Sequence, residues 1–292
     1  MRILVTGGSG FIGRNMAEEL RFDHEVEAPR RSELDLLSMD SVRAYFLRHK
    51  PDAIVHCATV PGHRAAQEAP RLAGDNLRMF FGLLGQAPEE TQFVVLGSGA
   101  EYDQVLECHR VREDEAGRNL PGDDGGFSKL VEAMWAERSP NIVHLRPFGV
   151  FGPFEDWRIR FVSNAVCKAL YGLPITLRKN RRLDYVWVGD LCRVVSRLLD
   201  VRPQRRILNV TPDSTPDLLS LARLVREVVG VDVPIDVAEE GTGPEYTGDN
   251  SRLHEEVPGL RFTPPEEAIE MLRDHYAARL GTIDRKELLW DR

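Results

Sequence analysis

A glycine-rich stretch near the start of the sequence has the residue types that bind a phosphate group. The stretch TGGSGFIG covers residues 6–13, directly after a short aliphatic run and directly before helical spacing. Gly7 or Gly8 would permit a tight turn, and Gly10 would let the main chain approach a pyrophosphate. Gly13 would let the helix pack against the strand, and the N-terminal amides of that helix attract negative charge. We predict a dinucleotide site that comprises Gly7, Gly10, Phe11, Ile12 and Gly13.

The end of the second predicted strand bears on which dinucleotide is bound. An acidic residue there, about 20 residues after the glycines, commonly binds a free ribose 2′-hydroxyl. Here the segment VEAPRR at residues 26–31 ends in Arg30 and Arg31. Guanidinium groups suit a 2′-phosphate, and the alternative is that both arginines are solvated surface residues. We therefore expect NADP as the cofactor, with NAD as the second choice.

Strand-like and helix-like runs alternate through the first half of the chain. Near-continuous apolar runs at 53–58, 92–97 and 141–147 indicate buried strands, and helical spacing covers 75–85 and 127–137. This rhythm is typical of a parallel sheet with helices on both faces. We predict an α/β fold, with a Rossmann-type doubly wound parallel sheet and a smaller C-terminal α/β substrate lobe.

The same rhythm suggests how the chain divides between the two parts. It loosens after about residue 151, and proline and glycine become frequent after residue 211. We assign residues 1–156 to the dinucleotide-binding domain, to which residues 184–208 return. Residues 157–183 and 209–292 are expected to form the smaller substrate-binding lobe.

Composition narrows the class of partner and the compartment. The 292 residues carry 38 basic and 46 acidic side chains, a formal charge of −8, which argues against nucleic acid or an anionic membrane as the main partner. No apolar run approaches the roughly 18 residues that a membrane-spanning helix needs. The four cysteines lie far apart without metal-ligand spacing, so we expect reduced thiols and no metal site. The start of the chain lacks a secretory-signal pattern, and we expect a cytoplasmic protein.

Seven short motifs together resemble those of a known family. In chain order they are TGGSGFIG, RRSELDLLSMDSVRAYF, AIVHCAT, LGSGAEYD, LRPFGVFGP, LDYVWVGDL and EYTGDNSRL. They resemble the motifs of extended short-chain dehydrogenases/reductases, in the NAD(P)-dependent nucleotide-sugar epimerase, dehydratase and reductase group, and GDP-fucose synthase-like reductases in particular. The resemblance covers nearly the whole chain, and the order and spacing of the motifs make it specific.

The resemblance implies hydride transfer between C4 of a nicotinamide and a sugar carbon. In this family a tyrosine acts as acid and base, a lysine four residues later lowers its pKa, and a serine or threonine shares the substrate oxygen. The hydroxyl falls on Ser98 and the lysine on Lys129, but the tyrosine position holds Gly125. The family's dehydratase motif Thr-Asp-Glu falls on Ser98-Gly99-Ala100, so a 4,6-dehydratase is disfavoured.

Glycine cannot donate a proton, and three explanations for Gly125 stay open. Another group can act instead, with Tyr102, Asp124, Glu101 and water as the candidates. The reaction can have been lost while ligand binding was kept, or the glycine can be an introduced substitution. We take Ser98, Lys129 and Tyr102 as candidate catalytic residues.

The resemblance also implies further contacts with cofactor and substrate. An Asp-Leu pair, here Asp35 and Leu36, lies against the adenine in the family. The remaining cofactor candidates are Cys57, Ala58, Thr59, Lys129 and Pro147. The substrate candidates are Ser98, Gly99, Gly149, Trp157, Arg158, Asn164 and Arg182.

Two substrate candidates replace or adjoin residues that the family uses. Gly149 stands where the family has a substrate-binding asparagine. Arg182 belongs to the basic run Arg178, Lys179, Arg181 and Arg182, which is either a solvated loop or a clamp for a nucleotide diphosphate.

These observations lead to one main functional prediction and two rivals. We expect an NADP(H)-dependent enzyme that reduces the 4-keto group of a nucleotide-linked hexose, or epimerises it. The rivals are a non-catalytic protein that binds the cofactor or the nucleotide sugar, and a dehydratase or lyase with another base. A homodimer is expected, because the helices at 75–85 and 127–137 are the pair with which family members commonly form a two-fold interface.

Overall fold

Six parallel strands form the central sheet of the protein. The computed structural model describes residues 1–60, 71–103 and 107–289. The strands are β1 (Arg2–Thr6), β2 (Glu25–Glu27), β3 (Ala53–His56), β4 (Gln92–Leu96), β5 (Cys108–Val111), β6 (Ile142–Pro147), β7 (Gly149–Phe151), β8 (Ile175–Asn180), β9 (Tyr185–Trp187), β10 (Ile207–Val210), β11 (Ile235–Thr242) and β12 (Tyr246–Gly248). The large sheet has the order β10-β6-β4-β3-β1-β2, which is doubly wound about β1 and β3.

Helices cover both faces of this sheet. They are α1 (Phe11–Leu20), α2 (Met39–Phe46), α3 (Leu72–Leu84), α4 (Asp124–Ala136), α5 (Phe161–Leu170), α6 (Val188–Asp200), α7 (Leu218–Val229), α8 (Ser251–Glu256) and α9 (Pro265–Ala277). One core joins α1 and α6 to the sheet through side chains such as Val5 and Val94. The other joins α2 and α3 to it through Leu4 and Phe93, which point to the opposite face. The predicted α/β Rossmann-type sheet is confirmed.

A separate hydrophobic core belongs to the smaller C-terminal lobe. It packs α5, α7 and α9 around side chains such as Ile175, Leu221 and Ile269. Strands β8 and β11 lie beside these helices and pair in parallel. The predicted smaller α/β lobe is therefore present, and its elements α5 and β8 come before the last strand of the large sheet, β10, in the chain.

The path of the chain between the two parts differs in detail from the sequence-based boundaries, which stay a prediction. Helix α6 packs on α1, and β10 pairs with β6 at the edge of the large sheet. Residues 209–210 and helix α8, which we assigned to the lobe, also pack on the large sheet, because Val210, Leu253 and Val257 fill its core. Sequence spacing alone did not reveal that these short segments return.

Strand β12 connects the two parts. It pairs in parallel with β5, which lies between β4 and α4 in the chain, and Leu183 bridges to Tyr246 on its other side.

Among the helices of the described ranges, none is long and apolar enough to cross a membrane.

Candidate active site

The glycines after β1 are held in place by close backbone contacts. Gly7 has φ +70°, a left-handed conformation that favours glycine, and a Cβ atom there would lie 2.8 Å from the main chain of Ala58. A Cβ atom at Gly13 would lie 2.2 Å from the carbonyl oxygen of Gly7. The amide of Gly10 donates to that same oxygen at 2.9 Å. We call Gly7, Gly10 and Gly13 the glycine cradle.

The first turn of α1 has no side-chain cap within the described part of the chain. Gly10 is its N-cap residue. The first amides of a helix have no partner within it, so those of Phe11, Ile12 and Gly13 can bind an anion. A cradle with no room for a Cβ atom, followed by free amides, fits the diphosphate of the predicted dinucleotide.

The charges at the end of β2 favour the phosphorylated cofactor. Glu27 accepts hydrogen bonds from the Tyr45 hydroxyl and, at 2.8 Å, from His49 Nδ1. The Glu27 carboxylate, which could otherwise bind a ribose hydroxyl, is therefore hydrogen-bonded to one residue of α2 and one residue after it. Arg30 is exposed and makes no ion pair with any described residue, and Arg31 lies 3.5 Å from Asp35 across solvent-exposed side chains.

The other predicted cofactor residues lie at the same edge of the sheet or beside it. Leu36 is buried against the α2–α3 core, and the Asp35 amide donates to Ser41. Ala58 donates its amide to Thr6 Oγ1 at 3.3 Å, directly under the cradle. The last members of this group are Cys57, which is half-buried, Thr59, which is exposed, and Pro147, which is buried at the end of β6.

Ser98 opens a short 3₁₀ turn after β4, and we call residues 98–101 the Ser98 loop. Its Oγ accepts a hydrogen bond from the Ala100 amide at 3.1 Å, and its own amide donates to Glu101 Oε1 at 3.0 Å. The side chain is half-buried. Because Oγ acts as an acceptor here, its hydrogen is available to a substrate oxygen.

Glu101 anchors the Ser98 loop from below. It is fully buried, and its carboxylate lies 2.7 Å from His144 Nε2 and accepts from Arg146 Nε at 2.5 Å. Burial alone would raise the pKa of Glu101, but His144 and Arg146 outweigh it and hold the pKa below its usual value. A carboxylate paired in this way does not fit the acid–base role for which Glu101 was a candidate.

Tyr102 is also part of the interior. Its hydroxyl donates to Asn209 Oδ1 at 2.8 Å and accepts from Arg146 at 3.3 Å, and the residue is 4% exposed. Burial raises the pKa of this phenol, which is the wrong direction for a proton acceptor near neutral pH. These contacts speak against the catalytic role that we gave Tyr102.

Two adjacent glycines at the start of α4 differ in their surroundings. A Cβ atom at Gly126 would lie 2.3 Å from the carbonyl oxygen of Ala100, so α4 packs closely on the Ser98 loop. A Cβ atom at Gly125 would meet only the flexible Asp123 side chain at 3.0 Å and Leu72 at 4.0 Å. Asp123 caps the helix through the Gly126 amide, and Asp124 is exposed.

Lys129 lies one turn after Gly125 on the same face of α4. Its Nζ donates to Glu132 Oε2 at 2.9 Å, and its side chain is 11% exposed. Its charge contributes to the shift of two neighbours at the end of β3. Burial and then Lys129 lower the pKa of His56 to about 3. Burial raises the pKa of Cys57 to about 12, and Lys129 opposes that rise.

Two predicted substrate glycines are explained by packing. A Cβ atom at Gly99 would lie 2.4 Å from the Tyr246 hydroxyl and 2.8 Å from the Phe148 ring. At Gly149 it would lie 2.6 Å from the carbonyl oxygen of Asp184. A side chain such as the family's asparagine therefore has no room at position 149, which the sequence did not show.

The remaining substrate candidates form a group after β7. Asn164 donates to the Trp157 carbonyl oxygen at 3.0 Å, which fixes the loop before α5. Arg158 is exposed and binds Asp156 at 2.7 Å. Their contacts keep Trp157, Arg158 and Asn164 together at the start of the smaller lobe.

The basic run shows a residue that the sequence did not single out. Arg182 is exposed and donates to the Thr215 carbonyl oxygen at 3.3 Å. Its neighbour Arg181 is half-buried and lies over the Tyr246 ring at 6.0 Å, and its Nε has no hydrogen-bond partner among the described residues. The side chains of residues 181 and 182 leave the chain on opposite sides. Arg181, not Arg182, shares the side of Tyr246 and Gly99.

Among the described residues, no group of three or more His, Cys, Asp or Glu could hold a metal ion.

Comparisons with known proteins agree with this architecture. The sequence model of the NAD dependent epimerase/dehydratase family matches residues 3–211. The chain is 33% identical to GDP-L-colitose synthase of Yersinia pseudotuberculosis over 144 residues, 47% of each chain. It is 25% identical to a Streptomyces dTDP-4-dehydro-6-deoxy-D-allose reductase over 87% of this chain and 90% of that one. A GDP-L-fucose synthetase of Naegleria fowleri, solved bound to NADP, has the same fold, with a TM-score of 0.82 at 15% identity over 96% of this chain and 94% of that one.

Proposed function

Because the chain belongs to the NAD dependent epimerase/dehydratase family, we propose that it is an NADP(H)-dependent enzyme that reduces the 4-keto group of a nucleotide-linked hexose, or epimerises it. The observation that carries this proposal is the contact between α4 and the Ser98 loop. Gly126 lets the helix approach Ala100, which brings Ser98 and Lys129 to one edge of the sheet. The glycine cradle lies at that same edge, because parallel strands end together there.

Each part of this edge has a role in the proposed reaction. The nicotinamide, when bound, supplies or takes up hydride at its C4. The cradle and the first turn of α1 hold the diphosphate, and Arg30 suits a 2′-phosphate. The Ser98 hydroxyl donates a hydrogen bond to the substrate oxygen and so favours charge developing on it. Lys129 supplies positive charge beside that oxygen.

The substrate's nucleotide diphosphate is expected on the side of Arg181. An arginine Nε that is buried without a partner loses a hydrogen bond, and a phosphate oxygen would restore it. The substrate class rests on the relatives, which act on GDP- and dTDP-linked sugars by name. Trp157, Arg158 and Asn164 stay predictions for the sugar side, and Arg182 fits this role less well than Arg181.

We also propose that the protein forms a homodimer through α3 and α4. Their outer surface carries large apolar side chains that are between about a third and a half exposed. These are Phe81, Phe127, Met134 and Trp135. Phe81 and Trp135 contact each other edge to face, with centroids 5.2 Å apart, so the patch is continuous across the two helices. The cytoplasmic location stays a prediction.

One rival function deserves a separate test, because Gly125 removes the family's usual acid. The rival is a protein that binds the cofactor and nucleotide sugar without turnover. A dehydratase or lyase with another base is the weaker third choice. The Ser98 loop lacks the Asp and Glu of the dehydratase motif Thr-Asp-Glu. Glu101 does not replace them, because its carboxylate is bound to His144 and Arg146.

The test is an assay of the purified protein with GDP- and dTDP-linked 4-keto-6-deoxyhexoses. We expect NADPH absorbance to fall as a 4-hydroxy sugar forms; product without net NADPH loss would indicate epimerisation. Saturable binding without product would favour the rival. The sharper variant is Gly125→Tyr, for which we expect no gain in rate, because another group handles the proton. A gain of orders of magnitude would show that the glycine disables the enzyme.

A further inference from the structure

Buried polar side chains line the face of the large sheet that α4 covers. In the part of the chain that the structure describes, four buried side-chain polar atoms lack a hydrogen-bond partner. Three of them are His56 Nε2, His144 Nδ1 and Glu132 Oε1. His56 and His144 share a sheet face with Phe93, because side chains alternate along strands. We call His56, His144, Lys129 and Glu132 the polar layer.

This layer is costly for folding. Each unsatisfied buried polar group lowers the free energy of unfolding, and apolar residues would fill the same space more favourably. The exposed fractions are 1% for His56, 0% for His144 and 1% for Glu132. A requirement other than stability is therefore the better explanation for these side chains.

Lys129 joins the polar layer to the cleft. Its Nζ is bound to Glu132, and its side chain keeps some contact with solvent. Gly125 lies one turn before Lys129 and has no side chain and few neighbours, so this turn of α4 leaves space that a substrate oxygen could enter.

We propose that Lys129 and Glu132 form the proton-transfer pair of this site. Lys129 is the catalytic residue that gives a proton to the substrate oxygen in the space beside Gly125. Glu132 positions Lys129 and returns a proton to it. The inference rests on the proposed reduction of a keto sugar, and it names the group that takes over from the missing tyrosine.

The proton balance of the reduction is simple. As the carbonyl carbon receives hydride, the C=O π bond breaks, one N–H bond of Lys129 breaks and an O–H bond forms on the substrate. The lone pair left on Nζ takes the proton of the neutral Glu132 carboxyl. Glu132 then regains a proton from solvent along the partly exposed Lys129 side chain. One hydride and one proton are consumed for each alcohol formed.

The charges around Glu132 are consistent with a carboxyl that can hold a proton. Burial raises its pKa, while Lys129 and His144 lower it and Glu101 raises it, and the net direction is upward. The titratable groups that face the pair are His56 and Cys57 at the end of β3, His144 on β6 and Glu101 in the Ser98 loop. A protonated Glu132 therefore persists to higher pH than a free glutamic acid does.

The first test needs no substrate. Infrared spectra taken across a pH series follow the carbonyl band of protonated carboxyls. We expect Glu132→Gln to remove one carbonyl band. The matched control Glu137→Gln, at the exposed residue directly after α4, should remove no band from the same pH range. In Lys129→Met the Glu132 band should persist to higher pH by about 1–3 pH units, because the cation that lowers its pKa is gone. Glu155, which accepts a hydrogen bond from Ser163 of α5 and whose pKa burial raises to about 8, provides an unchanged reference band.

The second test uses turnover of the GDP-linked 4-keto-6-deoxyhexose with NADPH. We expect Glu132→Gln to lower kcat roughly 10²-fold, with NADPH affinity by fluorescence unchanged and partial recovery in Glu132→Asp. The wild-type kcat should fall as pH rises and Glu132 loses its proton, and Glu132→Gln should lack that limb. Unchanged kcat in Glu132→Gln, or a Glu132 band that Lys129→Met does not move, would overturn the pair. If the wild type reduces no sugar, the proposed function fails, while the infrared result still decides whether the pair exists.

Discussion

Helices α1 and α4 both have glycines in their first turn at the same edge of the sheet, but these glycines differ in how much space surrounds them. At the start of α1, Gly13 has no room for a Cβ atom, because the carbonyl oxygen of Gly7 lies 2.2 Å from where that atom would be. At the start of α4, Gly126 is equally confined by Ala100 at 2.3 Å. Gly125 beside it is not confined, since its nearest neighbour is a flexible carboxylate at 3.0 Å.

The difference separates glycines that packing requires from one that packing does not. A confined glycine is explained by the fold, so Gly13 and Gly126 carry no information about the reaction. Gly125 lacks such an explanation and lies one turn before Lys129, so its absent side chain bears on the proposed chemistry. Single alanine substitutions can test this distinction.

The largest effect is expected for Gly13→Ala. The new Cβ atom would overlap the backbone of Gly7 and Gly8, directly after β1, which cannot move without shifting α1. We therefore expect loss of measurable NADPH binding and about 4–5 kcal/mol lower stability. Fluorescence titration and urea unfolding measure the two effects. Gly74→Ala in α3 is the matched control, because no described atom beyond its own stretch of helix lies within 4 Å of where its Cβ atom would be. It should retain NADPH binding and stability. Equal losses in the two variants would contradict the cradle.

The next effect concerns the support under the Ser98 loop. Glu101→Gln leaves Arg146 buried without its carboxylate partner. We expect the free energy of unfolding, measured with urea at pH 7, to be about 3 kcal/mol lower than in the wild type. The folded-state pKa of Glu101 is below the unfolded one, so its stabilisation is present above the unfolded pKa and is lost as pH falls through the folded pKa. The difference in the free energy of unfolding between wild type and variant should therefore become smaller as the pH falls. If this difference stays constant down to the pH of acid unfolding, the destabilisation comes from packing and not from the charge of Glu101.

The smallest effects separate the two glycines of α4. Gly126→Ala should lower stability by about 2 kcal/mol and reduce kcat, since it forces the helix away from the Ser98 loop. Gly125→Ala should change stability by no more than about 1 kcal/mol, because alanine favours the helix while its methyl group would lie 3.0 Å from Asp123 Oδ1, which caps α4. Thermal unfolding of both variants gives the comparison. Destabilisation by Gly125→Ala as large as that by Gly126→Ala would place this glycine with the confined ones.

The sequence was informative where chemistry depends on neighbours in the chain. The cradle glycines lie within seven residues and contact each other, so their spacing alone predicted the turn. The sheet followed from the alternation of apolar strands and helices. Ser98 and Lys129 came from the family resemblance, and the structure brings their elements into contact.

The sequence was silent where a role depends on distant partners. Glu101 was a candidate acid until the structure paired it with Arg146, 45 residues away in the chain. The i,i+3 spacing of Lys129 and Glu132 was visible, but such pairs are commonly surface features, and only burial distinguishes this one. Arg181 and Arg182 are neighbours with opposite orientations, and only the register of the segment shows which one faces Tyr246.

Strand β12 has a consequence for how the molecule comes apart. On one side the Cys108 amide of β5 donates to the carbonyl oxygen of Glu245, the residue before β12, at 2.9 Å. On the other side the Tyr246 amide donates to the Arg182 carbonyl oxygen at 3.0 Å. Because the lobe and the sheet share this strand, we expect them to denature in one cooperative step. A fragment ending at residue 156 would leave β5 with an unpaired, aggregation-prone edge.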